Sequence, residues 1–213
     1  MRYKGSYLKL FSLLIRKHLK KAYGKEVTRR ALKKAPGIYR EMLSQVDDIG
    51  ADNPMAGNIY MCFVLMAIWK GADGAITPDN YRPVIRALVK SPMVTRMVGG
   101  KDMNRPEDIR KSWTGLHARQ EWAENHPQYK EKTWDFNLDE RKHRDGVYYY
   151  FTRCPLNNYA RKFGYLEILP VCCELDYLLT EANHAVLHRE QTLASGGSIC
   201  DYWVVPDKVT DPQ

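Results

Sequence analysis

The sequence predicts an α+β protein, and two observations support this fold class. Apolar residues recur at three- and four-residue spacing through most of residues 1–130, as they do in amphipathic helices. From Lys132 onward, apolar and aromatic residues alternate with polar ones, which is typical of strands. We therefore expect one domain over residues 1–213, in which a helical amino-terminal lobe (1–130) packs with an α+β lobe (131–213) made of a small antiparallel sheet and two or three further helices.

The first helix is predicted over residues 7–23, where four apolar residues share one face. Gly24 follows a basic last turn and is expected to end this helix. A second helix is predicted over residues 27–46, with a break or kink at Pro36.

Three further helices are predicted in the helical lobe. Residues 55–69 are nearly all apolar, and 15 such residues indicate a buried helix, since a membrane span needs more. Thr77 and Pro78 form a helix start, because threonine caps free amides and proline at the first position loses no hydrogen bond. A polar helix is expected over residues 105–122.

The α+β lobe is predicted to contain four strands in two antiparallel pairs, at residues 134–138, 148–152, 187–194 and 198–205. The second pair is expected to be a hairpin around Gly196-Gly197, with one of these glycines at positive φ. Helices are predicted between the pairs, over residues 157–163 and 167–179.

The positive charge is concentrated at the amino terminus. The net charge is +8, but residues 1–34 contain twelve Lys and Arg residues and one acid and carry +11, which leaves −3 for the remainder. This basic helical region is either a solvated face or a surface that docks an anionic partner. We expect no specific nucleic-acid partner, because no recognised nucleic-acid motif accompanies the charge.

The five cysteines have irregular spacing and follow no secretory signal, so we expect reduced thiols and a cytoplasmic location. No transmembrane segment is expected, since the longest apolar run near the start, residues 10–15, is too short to cross a bilayer. A homo-oligomer is compatible with the sequence.

Asp176 is the first candidate for chemistry. Cys172 and Cys173 precede it by four and three residues, which on one helix places both thiols next to its carboxylate. Asp176 can act as a general base or hold a cationic nitrogen. Alternatively, the cysteines pack as small hydrophobic residues and Asp176 is solvated.

The hairpin carries the second group of candidates. With a two-residue turn, Thr192 stands opposite Asp201 and shares its face. With a turn one residue longer, Cys200 shares the face of Thr192 instead. From that face Thr192 can bond a ligand. Cys200 and Asp201 point to opposite faces in either register. We expect Cys200 to point inward and Asp201 toward water. Gly197 either only serves the turn or brings its bare amide close to a bound carboxylate.

Cys154 is the last thiol candidate. It ends a predicted strand before a proline, beside Arg153, whose charge favours a thiolate if the two side chains lie together. Strand alternation places them on opposite faces, so a reactive and an inert thiol both remain open.

His184 and His188 would suit a metal on a continuous helix, but a strand is predicted there, and we expect neither a metal nor another cofactor.

Several of these motifs, in this order, resemble the L-2-amino-thiazoline-4-carboxylic acid hydrolase-like proteins. They are Arg153-Cys154-Pro155, Cys172-Cys173-x-x-Asp176, Thr192 followed by Gly196-Gly197-x-x-Cys200-Asp201-aromatic, and the run 55–70 followed by Ile76-Thr77-Pro78. The resemblance covers most of the chain. It implies a hydrolase that opens a small heterocyclic carboxylic acid of the 2-amino-thiazoline type toward carbamoyl-cysteine, at a C–N or C–S bond of the cyclic amidine.

The resemblance also bears on the site. It makes Asp176 and Cys200 the leading catalytic candidates, with Cys154 and Cys173 beside them, and leaves attack by water and attack by a thiol both open. The substrate's carboxylate needs a cation, and the nearest candidates in sequence are Arg153 and Arg189.

Two other functions remain as alternatives. The carboxy-terminal half also resembles, more faintly, the sensing domains related to 4-vinyl reductases, which implies a non-catalytic small-molecule-binding domain. In the third interpretation, the basic amino-terminal helix docks a partner and no residue is catalytic.

Overall fold

The computed structural model describes residues 1–208, which fold into two compact units. The first unit contains residues 1–88 and 155–173, and the second contains residues 89–154 and the described residues from Glu174 onward. Both units are thus discontinuous in sequence. The expectation of a single domain with two lobes stays a prediction.

The helices of the described chain are α1 (Gly5–Gln45), α2 (Ala56–Gly71), α3 (Pro78–Val89), α4 (Pro92–Val98), α5 (Pro106–Glu124), α6 (Pro127–Lys130), α7 (Pro155–Phe163), α8 (Leu169–Cys173) and α9 (Leu175–Glu181). The strands are β1 (Asn137–Leu138), β2 (Val147–Phe151), β3 (Ala185–His188) and β4 (Cys200–Pro206). These elements confirm the α+β class.

Helix α1 bends where the sequence predicts a stop. Gly24 has φ +78° and ψ 178°, a conformation that interrupts the helix and that glycine adopts without steric cost. The predicted break at Pro36 is wrong, since α1 continues through that residue. The apolar residues that follow, Tyr39, Met42 and Leu43, are fully buried, and their packing outweighs the single hydrogen bond that proline removes.

The other predicted helices of the first 130 residues are confirmed with small shifts of their ends. Helix α2 is almost entirely buried, and α1 packs along it. Thr77 caps α3, because its Oγ1 accepts a hydrogen bond from the backbone N–H of Asn80 at 3.4 Å. Helix α3 continues through Pro83. None of the helices in the described part of the chain is both long and apolar enough to cross a bilayer.

The four strands form one antiparallel sheet in the order β1-β2-β4-β3. The predicted pairing of the first two strands is confirmed, with β1 shortened to two residues. On one face of the sheet the buried residues include Phe151, Leu187 and Cys200, and α5 and α9 contact the strands of this sheet. The sheet, α5 and α9 all belong to the second unit.

The predicted hairpin is antiparallel, but its register and loop are wrong. His188 pairs with Trp203, and residues 189–199 form a loop that contains a 3-10 turn at Leu193–Ser195. Gly196 has φ +88°, as predicted for one of the two glycines. The ladder stops after His188 because the backbone amides of Glu190 and Gln191 in this loop bond a side chain, described below.

Candidate functional site

Two tyrosines lie next to each other on one face of the sheet. The register of β2 and β4 places Tyr149 opposite Tyr202, and their rings stack with centroids 4.6 Å apart and planes 8° apart. Both side chains are only half-buried, whereas Phe151 and Cys200 beside them on the same face are buried. The pair therefore forms a partly open, aromatic surface from which two phenolic hydroxyls project.

Asp176 and Arg189 meet at this aromatic pair. The Arg189 Nη2 donates a hydrogen bond to Asp176 Oδ2 at 2.9 Å, and the Tyr202 hydroxyl donates to the same oxygen at 2.9 Å. The guanidinium lies over the Tyr202 ring, 4.0 Å from its centroid, and its Nε donates to the Asp201 carbonyl at 3.0 Å. The Arg189 side chain is 2% exposed and that of Asp176 is 35% exposed, so the cation is buried and the acid faces outward.

The free hydrogen-bonding capacity of this cluster lies at two atoms. Both donors to Asp176 reach Oδ2, and among the described residues none reaches Oδ1. Likewise, the Tyr149 hydroxyl has no hydrogen-bond partner within residues 1–208. One acceptor and one donor of this cluster therefore remain available for a small polar molecule.

Burial and mutual charge keep the phenols protonated. Burial, and then the negative charge of Asp176, raises the pKa of Tyr149 and that of Tyr202 well above the ordinary value. Burial acts to lower the pKa of Arg189, but Tyr202 and Asp176 outweigh it, so this pKa lies above its usual value. At neutral pH the cluster thus contains a permanent cation and two protonated phenols.

Cys200 borders the same cluster. It pairs with Phe151 in the sheet, is buried, and lies close enough to Asp176 and Arg189 for both charges to act on it. Its Sγ accepts a hydrogen bond from the Leu193 N–H at 3.2 Å. Burial, as the largest effect, raises the pKa of Cys200, so its thiol is protonated at neutral pH.

Both residues of the Cys200–Asp201 pair are buried, which corrects the expectation that Asp201 points to water. The Asp201 carboxylate accepts hydrogen bonds from the N–H groups of Glu190 and Gln191, each at 2.8 Å. These bonds satisfy two amides that would otherwise extend β3, and they fix the start of the 189–199 loop. The inward position of Cys200 agrees with the expectation.

Two further candidates, Thr192 and Gly197, belong to this loop. Thr192 caps the 3-10 turn, where its Oγ1 accepts from the Ser195 N–H at 3.1 Å. The Gly197 N–H donates to the Thr192 carbonyl at 2.9 Å, and a Cβ at Gly197 would lie 2.8 Å from the Gln191 side chain. Both residues therefore have partners inside the loop, and their role in binding a substrate stays a prediction.

Arg153 is bonded to the segment that precedes β1. Its guanidinium donates to the Thr133 and Lys130 carbonyls at 3.0 and 2.8 Å and pairs with Glu131 at 2.9 Å. Cys154, the next residue, is half-buried after the end of β2. The roles of Arg153 and Cys154 in binding or catalysis stay predictions.

The helix predicted to join Cys172, Cys173 and Asp176 is interrupted. Helix α8 ends at Cys173 and α9 begins at Leu175, and the two compact units divide at the same point. The spacing argument, which assumed one continuous helix, therefore does not place the two thiols beside Asp176. The catalytic role of Cys173 stays a prediction.

The sequence analysis missed the two tyrosines. Tyr149 was interpreted only as part of a strand, and Tyr202 only as the aromatic end of a motif. The signal was present in the alternation of the strands, because the hairpin residues that share a face with Cys200 must include Tyr202. What the sequence lacked was the pairing of β2 with β4, which joins segments about 50 residues apart.

The fold and this cluster define an α+β protein in which a buried guanidinium and a phenol of the sheet hold a carboxylate of α9. The chain belongs to the L-2-amino-thiazoline-4-carboxylic acid hydrolase family, whose sequence model matches residues 57–204. The matched segment is more than half of the chain and contains the whole cluster. No curated protein and no solved structure matched the chain.

Proposed function

We propose that this protein is a hydrolase that opens the ring of a small 2-amino-thiazoline-type carboxylic acid toward carbamoyl-cysteine. The observation that carries the proposal is the carboxylate of Asp176, which is 35% exposed and which Arg189 and Tyr202 hold through Oδ2, while no described residue donates to Oδ1. A cyclic amidine presents an N–H donor and an electrophilic carbon, and an exposed carboxylate oxygen is complementary to that donor. Membership of the family supports the same substrate class.

In the proposed reaction, water attacks and no thiol does. Burial raises the pKa of Cys200 and outweighs the hydrogen bond from the Leu193 N–H, which acts to lower it, so little thiolate is present at neutral pH to attack the amidine carbon. Cys200 instead contributes a small, neutral wall to the site. The raised pKa of Cys200 thus supports water attack over thiol attack.

The proton transfers follow from the two available groups. Asp176 Oδ1 takes a proton as water bonds to the amidine carbon, and the C–S or C–N bond of the ring then breaks. The leaving heteroatom takes the proton that Asp176 gained from water, while the Tyr149 phenol, whose raised pKa makes it a weak acid, stays protonated and donates a hydrogen bond to that heteroatom. Because Asp176 passes this proton on, one water is consumed and the protein is regenerated.

The substrate's carboxylate needs a cation that is not already engaged. Arg189 is bonded to Asp176 and the Asp201 carbonyl, and Arg153 to residues 130–133. We propose Arg119 of α5 for this role, because its guanidinium bonds the Gly115 carbonyl of its own helix at 2.7 Å but has no acidic partner within residues 1–208. It also lies close enough to Tyr149 for its charge to act to lower that phenol's pKa.

The test is turnover of L-2-amino-thiazoline-4-carboxylic acid by the purified protein, with the ring-opened product measured by mass spectrometry. Asp176→Asn should reduce kcat/KM about 100-fold, as expected when a general base is removed. Tyr149→Phe should reduce kcat, whereas Cys200→Ser should keep most of the activity. Asp145→Asn, which changes another aspartate of the same unit, is the matched control and should have no effect.

Failure of the wild-type protein to turn over this substrate, or full activity of Asp176→Asn, would refute the proposal. Loss of activity in Cys200→Ser with an intact fold would restore thiol attack. Saturable binding of the substrate with no product would instead support the alternative of a non-catalytic sensing domain.

A further inference from the structure

The bend in α1 creates a basic groove in the part of the chain that precedes the family match. The groove has a volume of about 540 Å³. Five cations line it, namely Arg16, Lys20, Lys25, Arg29 and Lys33. It lies within the first compact unit.

The bend explains why these cations converge. Arg16 and Lys20 are four residues apart before Gly24, and the other three follow it at the same spacing, so each set lies on one face of its helical segment. The positive φ of Gly24 turns the two faces toward one groove. Thr28, buried at its floor, donates its hydroxyl proton to the Gly24 carbonyl at 2.7 Å and fixes the bend.

The five cations have no ion-pair partner within residues 1–208, in contrast to their neighbours on α1. Arg30 and Lys34, on the adjacent face of the helix, both pair with Asp73, at 3.6 and 2.6 Å. The pKa of His18 is lowered by burial and then by the charges of Lys17 and Lys21, as expected in a region of positive potential. The groove therefore concentrates positive charge that nothing in the described chain neutralises.

We propose that this groove binds a small polyanion that carries two or more linked phosphate groups. Arginine forks bond phosphate oxygens in pairs and lysines add point charges, so the groove offers both kinds of phosphate contact. Its volume is in the range of sites for small ligands, about 300–1,000 Å³. A flat bilayer surface cannot enter a concave groove, and no base-reading motif accompanies these cations, so a small linked phosphate suits the site best.

The probe is inorganic tripolyphosphate, titrated by calorimetry into the full chain at fixed ionic strength, with orthophosphate for comparison. The triple variant Lys20→Gln, Arg29→Gln, Lys33→Gln should bind tripolyphosphate at least about tenfold more weakly, a loss of about 1.4 kcal/mol. The matched control is Lys9→Gln, Lys17→Gln, Lys21→Gln, which removes the same charge from exposed positions of α1 outside the groove. It should weaken binding less than about threefold, because screened surface charges act weakly over a distance.

Equal losses in both triple variants would overturn the proposal, since they would indicate diffuse attraction without a site. The proposal would also be overturned if tripolyphosphate bound no tighter than orthophosphate. The same holds if the protein bound only nucleic acid, or only vesicles regardless of which anionic lipid they contain. Vesicles with a phosphoinositide distinguish the source of the phosphate. If these vesicles bind and tripolyphosphate displaces them, the natural ligand is a lipid headgroup. If they do not bind, the ligand is a free polyphosphate. Both outcomes support the groove.

Discussion

Replacement of Arg189 by methionine tests whether the buried guanidinium holds the Asp176 cluster together. Methionine keeps most of the apolar volume of the side chain but removes the charge and all of its N–H donors. In the wild type these donors bond Asp176 Oδ2 at 2.9 Å and the Asp201 carbonyl at 3.0 Å, and the guanidinium covers Tyr202. The variant leaves Asp176 with Tyr202 as its one donor among the described residues.

The expected cost follows from the exposure of the two partners. Removal of one partner of a buried ion pair costs about 3–5 kcal/mol. Asp176 is 35% exposed, so water solvates the carboxylate that is left behind, and the loss should be nearer about 2–3 kcal/mol. For a chain of this size that corresponds to a fall in Tm of roughly 4–12 °C.

A double-mutant cycle measured by urea unfolding separates the ion pair from loss of packing. Asp176→Asn alone leaves a guanidinium with 2% exposure without its counter-charge, so it should also destabilise the protein. The double variant should cost less than the sum of the single variants by about 1 kcal/mol or more, because neither partner is then left unpaired. Additive costs would show that the two residues are not coupled and would refute the geometry described for the cluster.

Two further predictions concern the neighbourhood of this cluster. Burial raises the pKa of the Cys200 thiol in the folded protein, so as pH rises the unfolded chain loses the thiol proton before the folded chain does. The contribution of the neutral thiol to stability is therefore complete below the unfolded pKa. The free energy of unfolding should fall as pH rises above about 8.5, the ordinary pKa of a cysteine. Cys200→Ala should flatten that fall in urea midpoints measured between neutral pH and pH 9.5, and an unchanged slope would contradict the assignment. Gly197→Ala should destabilise the protein by about 1–3 kcal/mol, because its Cβ would lie 2.8 Å from Gln191 and 3.0 Å from the Thr192 carbonyl. The control is Gly37→Ala, at a helical position with open space around it, which should stabilise the protein by up to about 1 kcal/mol. Both variants are compared by thermal melts, and equal effects would show that the close approach at Gly197 is unimportant.

Local signals in the sequence predicted most of the helices and strands. The burial of α2, the cap at Thr77 and the interruption of the helix at Gly24 each depend on residues within one or two turns. The first two are confirmed, and at Gly24 the helical conformation is interrupted as a bend within α1. Pro36 was predicted to break α1 because the local rule counts the lost hydrogen bond and steric clash. The buried residues that follow it decide the outcome, and their burial depends on the contact between α1 and α2.

The hairpin failed for a related reason. The paired glycines predicted a tight turn, and the turn rule assigns the register from the loop alone. In the structure a side chain from β4, that of Asp201, takes the amides of Glu190 and Gln191, so the ladder ends early and the loop lengthens. A buried carboxylate that accepts backbone amides cannot be recognised from alternation, because alternation specifies a face and not a partner.

The same limit explains why the cysteines dominated the sequence-based view of the site. Thiols, acids and their spacing are visible in the sequence, whereas the protonation of a thiol depends on burial that only the fold supplies. Once Cys200 is buried, its raised pKa removes the advantage that made it a candidate nucleophile. Burial and the charge of Asp176 also raise the pKa of Tyr149, which makes this phenol a weak acid that stays protonated and offers its O–H as a hydrogen-bond donor. The chemistry of the site therefore depends less on which reactive residues the chain contains than on which protonation state the sheet and its covering helices impose on them.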